Sequence, residues 1–245
     1  MKVKKKKRLD VLLVEKGLAA TKDKAQALIL AGQASVDGDV CTQAFALFDD
    51  NVSISLIIKN KYVSRGGLKL ESALNSLNIL VEGKVCLDVG ASTGGFTDCL
   101  LTRGAKKVYA LDVGEKLLDC KLCSDPRVVN IENTNFRHFN PITLKDTVEF
   151  ITIDASFISL CLLLPIANKC LNKNGEILAM VKPQFESLPS QMQKGVVRKD
   201  SVRQEAIEKI KNCAQGLGLS VLGGVDSAIK GPKGNLEHFL WLKKG

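Results

Sequence analysis

The stretch "CLDVGASTGGF", residues 86–96, begins like a buried strand and continues into small residues and glycines. A chain opens a helix from such a loop when a ligand must approach the backbone closely. The glycines fall at Gly90, Gly94 and Gly95, which differs from the GxGxxG spacing of dinucleotide sites. No Lys-Ser/Thr pair follows, as it would in a loop that binds nucleoside triphosphates. The loop therefore predicts a ligand of another kind.

Two acidic residues near strand ends narrow the choice of ligand. Asp88 comes just before Gly90, where a carboxylate would repel a pyrophosphate and would suit a cationic ligand. S-adenosylmethionine carries a sulfonium, an ammonium and a carboxylate, and a helix N-terminus can receive the carboxylate. Asp112 ends the next predicted strand, where it can accept hydrogen bonds from both hydroxyls of a ribose. We therefore expect S-adenosylmethionine as the cofactor.

Predicted strands and helices alternate from residue 68 onward. This alternation predicts an α/β fold, a doubly wound, mostly parallel Rossmann-like sheet, after a small N-terminal α+β domain. Strands are expected at 84–89, 107–112, 128–131, 149–154, 176–181, 220–225 and 238–242. We expect the domains at 1–60 and 68–245, with residues 61–67 as a linker.

Composition limits both the location and the partners. The chain has 245 residues, a net charge of +9 and eight cysteines. A basic balance favours nucleic acid as a partner, ahead of an anionic membrane surface. No secretory signal follows the basic start, and the longest apolar run, residues 157–167, is shorter than the about 20 residues that span a bilayer. We expect a cytoplasmic protein without stable membrane insertion. Its cysteines are expected to stay reduced, and its lone CxxC at Cys120 and Cys123 predicts no metal site.

Residues 1–60 have a different texture. The run "RLDVLLVEKGLAATKDKAQALILAGQASVDGDV", residues 8–40, predicts two short amphipathic helices, a strand, a tight Asp-Gly turn and a second strand. Residues 51–58 alternate like a further strand. The basic start "KVKKKKR", residues 2–8, is either a solvated disordered tail or a phosphate-seeking arm.

This segment resembles the S-four RNA-binding domain, through "RLD" at residues 8–10, the run "KAQALILAGQASVDG" and the closing strand. RNA contacts are accordingly expected at Arg8, Lys22 and Lys24. Many such domains carry arginine at the position of Gln33, so one phosphate contact is expected to be missing.

Four charged residues fall at the ends of predicted elements. Asp154 ends the fourth strand, Lys182 follows the fifth, Glu237 begins the last, and Lys69 lies in the helix before the first. The carboxyl ends of neighbouring parallel strands share one crevice. A lysine after the apolar run "ILAMV" is costly unless it is paired or functional. These residues are therefore candidates for chemistry, with structural ion pairs as the alternative.

The phrases around these residues resemble the TlyA family of ribosomal RNA 2′-O-methyltransferases, also called haemolysins, whose catalytic domain is similar to FtsJ-type RNA methyltransferases. They include "YVSRGGLKLESAL", "DVGASTGGFTDCLL", "IDASFISL", "VKPQFE" and "GPKGNLEHFLWL", and the resemblance covers nearly the whole chain. It implies a catalytic set of Lys69, Asp154, Lys182 and Glu237. It implies a cofactor pocket at Asp88, Gly90, Ser92, Gly94, Gly95, Phe96 and Asp112, with Asn133 or Asn135 near the adenine.

Methyl transfer to a ribose hydroxyl is an in-line displacement that also requires the removal of one proton. We predict Lys182 as the base, because partial burial and nearby Lys69 favour a neutral amine, although Asp154 and Glu237 oppose it. Further basic residues are expected to contact RNA phosphates around the crevice. They are Arg65, Arg198, Lys199, Arg203, Lys230 and Lys233.

The expected partner is ribosomal RNA or a ribosomal subunit; the oligomeric state stays open. The resemblance implies a cytidine as the target. The chain ends soon after "FLWLKKG", like the shorter branch of the family, whose expected target is 23S rRNA only, whereas the longer branch also modifies 16S rRNA. The competing hypotheses are a membrane-active haemolysin, a non-catalytic RNA-binding assembly factor and a nicotinamide-dependent enzyme.

Overall fold

Two structural units follow one another along the chain. A computed structural model describes residues 6–30, 32–56 and 61–245. Its internal contacts divide the chain into Met1–Asn60 and Lys61–Gly245.

The first unit packs two helices against short antiparallel strands. Its elements are β1 (Lys6–Arg8), α1 (Leu9–Glu15), α2 (Lys22–Leu30), β2 (Ala34–Val36), β3 (Asp39–Val40), β4 (Leu47–Asp49) and β5 (Ile54–Leu56). The predicted helices and the turn at Asp37 and Gly38, both at positive φ, are confirmed. The end of the predicted last strand, residues 57 and 58, lies outside the described residues.

The basic start differs from its prediction. Residues 2–5 lie outside the described part of the chain, but Lys6–Arg8 form β1 and pair antiparallel with β4. Neither a disordered tail nor a free arm describes these three residues, because the strand pairing satisfies their backbone groups.

The second unit alternates strands and helices as predicted. Its helices are α3 (Arg65–Ser76), α4 (Gly95–Thr102), α5 (Cys120–Cys123), α6 (Leu160–Cys170), α7 (Pro183–Glu186) and α8 (Asp200–Gly216). Its strands are β6 (Val85–Val89), β7 (Lys107–Leu111), β8 (Val128–Ile131), β9 (Val148–Ile153), β10 (Leu171–Val181), β11 (Leu219–Asp226) and β12 (His238–Lys244). All seven predicted strands are present.

The seven strands form one sheet in the order β11-β12-β10-β9-β6-β7-β8. The five strands from β10 to β8 are parallel, and β12 pairs antiparallel with both β10 and β11. The chain moves outward in one direction from β6 to β8 and then returns to β9 on the other side of β6. Ligands of open parallel sheets bind at the carboxyl ends of the strands beside such a reversal.

Both faces of the sheet are covered, which confirms the doubly wound prediction. Alternate residues of a strand point to opposite faces. Leu87 of β6 packs in a core with Leu163 of α6 and Ile207 of α8. Its neighbour Cys86 packs in a second core with α3 and α4.

The segment predicted as a linker belongs to the second unit. Tyr62 is buried in its core, and the backbone N–H of Val63 donates to the carboxylate of Asp98 at 3.0 Å. Ser64 caps α3, which begins at Arg65. Residues 61–67 therefore form a packed entry to α3, because Tyr62 and Val63 make their contacts within the second unit.

Candidate active site

Three cavities open at the carboxyl edge of the parallel strands, and Asp154, directly after β9, borders all of them. The first, which we call the strand-end cleft, has a volume of 470 Å³ and lies among the loops after β6, β7, β8 and β9. The second, the loop cavity, has 360 Å³ and lies beside the first residues of α3 and α4. The third, the lysine cavity, has 580 Å³ and is bordered by Lys69, Lys182 and Glu237.

The glycine loop after β6 is shaped by close packing. Gly90 has a φ of 83°, and a Cβ built there would lie 2.9 Å from the carbonyl oxygen of Asp154. Gly94 is the left-handed N-cap of α4. A Cβ at Gly95 would overlap the hydroxyl of Ser64, the cap of α3. The glycines let the loop touch the end of β9 and let α3 and α4 begin side by side.

The structure corrects the expectation for Asp88. Its side chain is completely buried, and among the described residues that border the three cavities it is absent. The Thr97 hydroxyl donates to one carboxylate oxygen at 2.7 Å, and the Thr152 hydroxyl donates to the other at 2.9 Å. Burial raises the pKa of Asp88 to about 6, although both hydroxyls oppose this. Asp88 ties β6 to α4 and β9 through these hydrogen bonds.

Asp112, by contrast, borders the strand-end cleft. Its carboxylate accepts a backbone hydrogen bond from Ser92 at 2.8 Å and another from Gly114 at 2.8 Å. These bonds fix the carboxylate at the floor of the cleft and tie the loop after β7 to the glycine loop.

Of the two candidate asparagines, Asn135 borders the strand-end cleft and Asn133 is not among its described lining residues. Asn133 has a φ of 52° and forms a backbone bond to Gly114, so it shapes the loop. Ser92 is exposed and borders both the strand-end cleft and the loop cavity. Phe96 borders the loop cavity, with its ring stacked 6.0 Å from that of Phe239.

The four charged candidates meet in the lysine cavity as two ion pairs. Lys182 Nζ lies 2.7 Å from Asp154 Oδ1, and Lys69 Nζ lies 2.6 Å from Glu237 Oε2. Lys182 also donates to the Ser156 hydroxyl at 2.8 Å and to the Asp154 carbonyl at 3.2 Å. Three oxygens thus surround a nitrogen with three hydrogens.

Burial sets the electrostatics of this cluster. It raises the pKa of Asp154, while the positive charges of Lys182 and Lys69 act in the opposite direction. Glu237 is also buried, and the backbone of Gly231 lies against it so closely that a Cβ there would sit 2.5 Å from Oε1. Removing one partner of such a pair would leave an uncompensated charge, which is costly.

Sequence reasoning assigned no role to Ser156 or to the aromatic pair Phe157 and Phe185. Phe157 is 90% exposed at a φ of 63°, and its ring centroid lies 5.0 Å from that of Phe185. It borders both the strand-end cleft and the lysine cavity. A bulky residue at positive φ is strained, and the motif "DASF" directly after a strand was the available signal.

The predicted RNA contacts of the second unit separate into exposed and internally paired residues. Arg65, Lys230 and Lys233 are exposed and border the loop or the lysine cavity. Arg198 and Lys199 are exposed beside a further cavity of 250 Å³.

Arg203 borders the same 250 Å³ cavity, but it is committed within the fold. Its guanidinium contacts Asp200 at 2.9 Å and Asp226 at 2.6 Å, and its side chain is 13% exposed. Its expected role as an RNA contact is therefore the weakest of the set.

In the first unit, Lys22 and Lys24 are exposed on α2, whereas Arg8 forms an ion pair with buried Asp10. Over the described parts of the two units, no cluster of three or more His, Cys, Asp or Glu side chains is arranged to hold a metal ion. None of the described helices is long and apolar enough to cross a bilayer.

Comparison with known proteins identifies the family and several relatives of this chain. The family model for FtsJ-like methyltransferases matches residues 62–244, and the S4 domain model matches residues 7–47. A candidate rRNA methyltransferase, YqxC of Bacillus subtilis, is 44% identical over 97% of this chain and 86% of its own length. The 16S/23S rRNA (cytidine-2'-O)-methyltransferase TlyA of Mycobacterium tuberculosis is 40% identical over 96% and 89%. A solved structure of a candidate hemolysin from Streptococcus thermophilus has a TM-score of 0.75 and 41% identity, covering 99% of this chain and 90% of that one.

Proposed function

The chain belongs to the FtsJ-like methyltransferase family, and we propose that it transfers a methyl group from S-adenosylmethionine to the ribose 2′-hydroxyl of a cytidine in 23S ribosomal RNA. The observation that carries the proposal is the sharing of Asp154 between the strand-end cleft and the lysine cavity. A methyl donor in one and a hydroxyl in the other would meet at this residue. The Mycobacterium tuberculosis relative, a 16S/23S rRNA (cytidine-2'-O)-methyltransferase, supports the choice of substrate.

The residues of the strand-end cleft fit S-adenosylmethionine. Its 470 Å³ lies within the usual size of small-molecule sites. The apolar side chains of Val113 and Leu117 border it although they are largely exposed, so a planar base would cover them. Asp112 offers a carboxylate for ribose hydroxyls, and the glycine loop with the N-terminus of α4 can receive the carboxylate of the amino acid. When bound, the cofactor supplies an electrophilic methyl group on a sulfonium.

The lysine cavity would orient the acceptor. A 2′-hydroxyl that enters it meets two ammonium groups and two carboxylates, each already positioned by its partner. Lys69 and Glu237 form the second pair, whose role we propose to be holding the ribose and keeping the local charge balanced. A site of fixed charges loses little reorganisation energy during the reaction.

Lys182 is the proposed acceptor of the 2′-proton. In the structure its Nζ donates to Ser156 and to the carbonyl of Asp154 and forms an ion pair with the Asp154 carboxylate, so an ammonium there must first release a proton to gain a free electron pair. Asp154 is positioned to receive that proton, because its Oδ1 lies 2.7 Å from Nζ. Burial raises the pKa of its carboxyl group, while the charges of Lys182 and Lys69 oppose this. Lys182 would then accept the 2′-proton, while the bound cofactor would supply the methyl group that takes the place of that proton on the oxygen.

RNA recognition is proposed to involve both units. In the second unit, a phosphate track is suited by the exposed cations Arg65, Arg198, Lys199, Lys230 and Lys233. In the first unit, Arg8, Lys22 and Lys24 suit phosphate contacts of their own. Phe157 stands exposed where the strand-end cleft meets the lysine cavity, where it can stack on an unpaired base. A ribosomal substrate implies action in the cytoplasm.

The experiment is methylation of unmodified 23S and 16S ribosomal RNA with tritiated S-adenosylmethionine, followed by mapping of the 2′-O-methyl sites. We expect label at a cytidine of 23S rRNA, and the 16S arm tests the wider specificity of the relative. A Lys182→Ala variant that retains cofactor binding is the matched control. Absence of label with wild-type protein that binds the cofactor would overturn the proposal, and release of dye from liposomes without cofactor would support the haemolysin alternative.

A further inference from the structure

A guanidinium and an exposed aromatic ring form a pair on the first unit that the proposed chemistry does not use. Phe45, in the loop before β4, is 62% exposed. The central carbon of the Arg8 guanidinium lies 4.2 Å from the centroid of its ring. The guanidinium covers part of the ring, and the remaining exposed surface of Phe45 is available for stacking by a further planar group.

The buried side chain of Asp10 fixes the position of Arg8. Asp10 is completely buried and receives Arg8 through two hydrogen bonds, at 3.0 Å to Oδ1 and 2.6 Å to Oδ2. Gln26 also donates to Oδ2 at 2.8 Å. The Arg8 guanidinium lowers the pKa of the Asp10 carboxyl, so this anchor stays ionised. Arg8 is thus fixed in orientation while part of it remains at the surface.

The backbone of the loop is fixed as well. The N–H groups of Leu9 and Asp10 donate to the carbonyls of Ala46 and Ala44, at 2.9 and 3.1 Å. These two carbonyls flank Phe45, so the first turn of α1 determines where the ring stands. A platform that is ordered before binding loses little conformational entropy when it binds.

A cavity of 470 Å³ opens beside the ring. Phe45 and Leu30 give it apolar walls, while Gln26, Thr42 and Gln43 bring amide and hydroxyl groups. No acidic side chain is found among the described residues that line it. Exposed Lys22 precedes Gln26 by one helical turn on α2, so positive charge lies on the same face.

We propose that this cavity, between Phe45 and α2, is a binding site for one unstacked nucleobase of single-stranded RNA. The base would stack on Phe45, its edge would meet the polar groups of Gln43 and Thr42, and its phosphates would meet Arg8 and Lys22. Aromatic rings and guanidinium planes are the surfaces on which proteins hold unpaired bases. The inference rests on the proposed function only in taking RNA as the partner.

The test uses the full chain and a single-stranded hexaribonucleotide with one 2-aminopurine, whose fluorescence falls on stacking. Phe45→Leu should weaken binding about tenfold, since one base stacked on an aromatic ring contributes on the order of a factor of ten. Phe45→Trp should bind at least as well as wild type. Ile142→Ala, which removes an even more exposed apolar side chain from the second unit, should bind like wild type.

A hexanucleotide carrying 4-thiouridine localises the contact, because ultraviolet crosslinks should map by mass spectrometry to the loop that holds Phe45. Equal affinity of Phe45→Leu and wild type, or crosslinks confined to the second unit, would overturn the site. Binding of naked RNA that is unchanged while binding to intact ribosomal subunits is lost would also overturn it and identify a ribosomal protein instead. Loss of methylation with binding at Phe45 retained would count against the proposed function alone.

Discussion

Asp88 and Asp154 lie near the ends of neighbouring parallel strands, yet their environments differ. Asp88 is within β6, opposite Thr152, and meets two hydroxyls in the core. Asp154 is the first residue after β9, borders three cavities and meets Lys182. Burial raises the pKa of both carboxyl groups. Asp88 organises the loop, whereas Asp154 faces the space for ligands. Their roles therefore differ because of their positions relative to the strand end, since both are the same residue type.

The largest effect should come from removing the partner of Asp154. Lys182→Ala should lower single-turnover methylation by about a hundredfold to ten-thousandfold, the usual contribution of a general base, while cofactor affinity changes little. Lys182→Arg should recover little, because a guanidinium does not release its proton. Lys173→Ala, which changes an exposed lysine of β10, the strand that Lys182 follows, is the control. Lys182→Arg activity within a few-fold of wild type would leave Lys182 an orienting role only.

Substitution of Asp88 should change the pH dependence of folding stability rather than the turnover of the enzyme. Its pKa rises from 3.8 to about 6 on folding, so the folded state holds the proton more tightly. Its contribution to stability is therefore fully present below about pH 3.8 and is lost as the pH rises through about 6, by about 3 kcal/mol. Urea unfolding across this range should show a smaller loss for Asp88→Asn than for wild type. Parallel curves for the two proteins would contradict the buried, hydroxyl-bound environment.

The third largest effect is expected at Asp112, which borders the strand-end cleft. Asp112→Ala should weaken S-adenosylmethionine binding by about tenfold to a hundredfold, because a charged hydrogen-bond acceptor and two loop contacts are lost together. Calorimetry on the folded variant measures this, with circular dichroism as the check on the fold. Unchanged affinity would remove Asp112 from the pocket and weaken the contrast with Asp88.

The smallest effect concerns Arg198 and Arg203, which border the same cavity. Like Asp88 and Asp154, they share a residue type but differ in environment. Exposed Arg198 should contribute to RNA affinity, so Arg198→Ala should reduce the salt dependence of RNA binding by about one unit of slope. Arg203 is held by Asp200 and Asp226, so Arg203→Ala should leave the slope unchanged and lower stability by about 1 kcal/mol. Filter binding over a salt series would reverse the assignment if Arg203 gave the larger change.

Much of the fold could be predicted from local sequence patterns. Alternating strands and helices are encoded by short-range hydrophobic periodicity, so all seven strands of the sheet could be predicted. Tyr62 and Val63 could not be placed in the second unit, because their partners are distant in sequence and the segment has the small, polar texture of a linker. Strand β1 was missed because its pairing with β4 overrides the repulsion of a lysine run.

By itself, the sequence determined the doubly wound sheet, the place of the glycine loop and the residue types that a methyl transfer to RNA would need. Only the tertiary structure decided that Asp88 turns into the core, that Asn135 rather than Asn133 borders the cleft, and that Lys69 pairs with Glu237 while Lys182 pairs with Asp154. The physical reason is range. Periodicity and turn chemistry act between residues a few positions apart, whereas burial and ion pairing depend on which strand ends the folded sheet brings together.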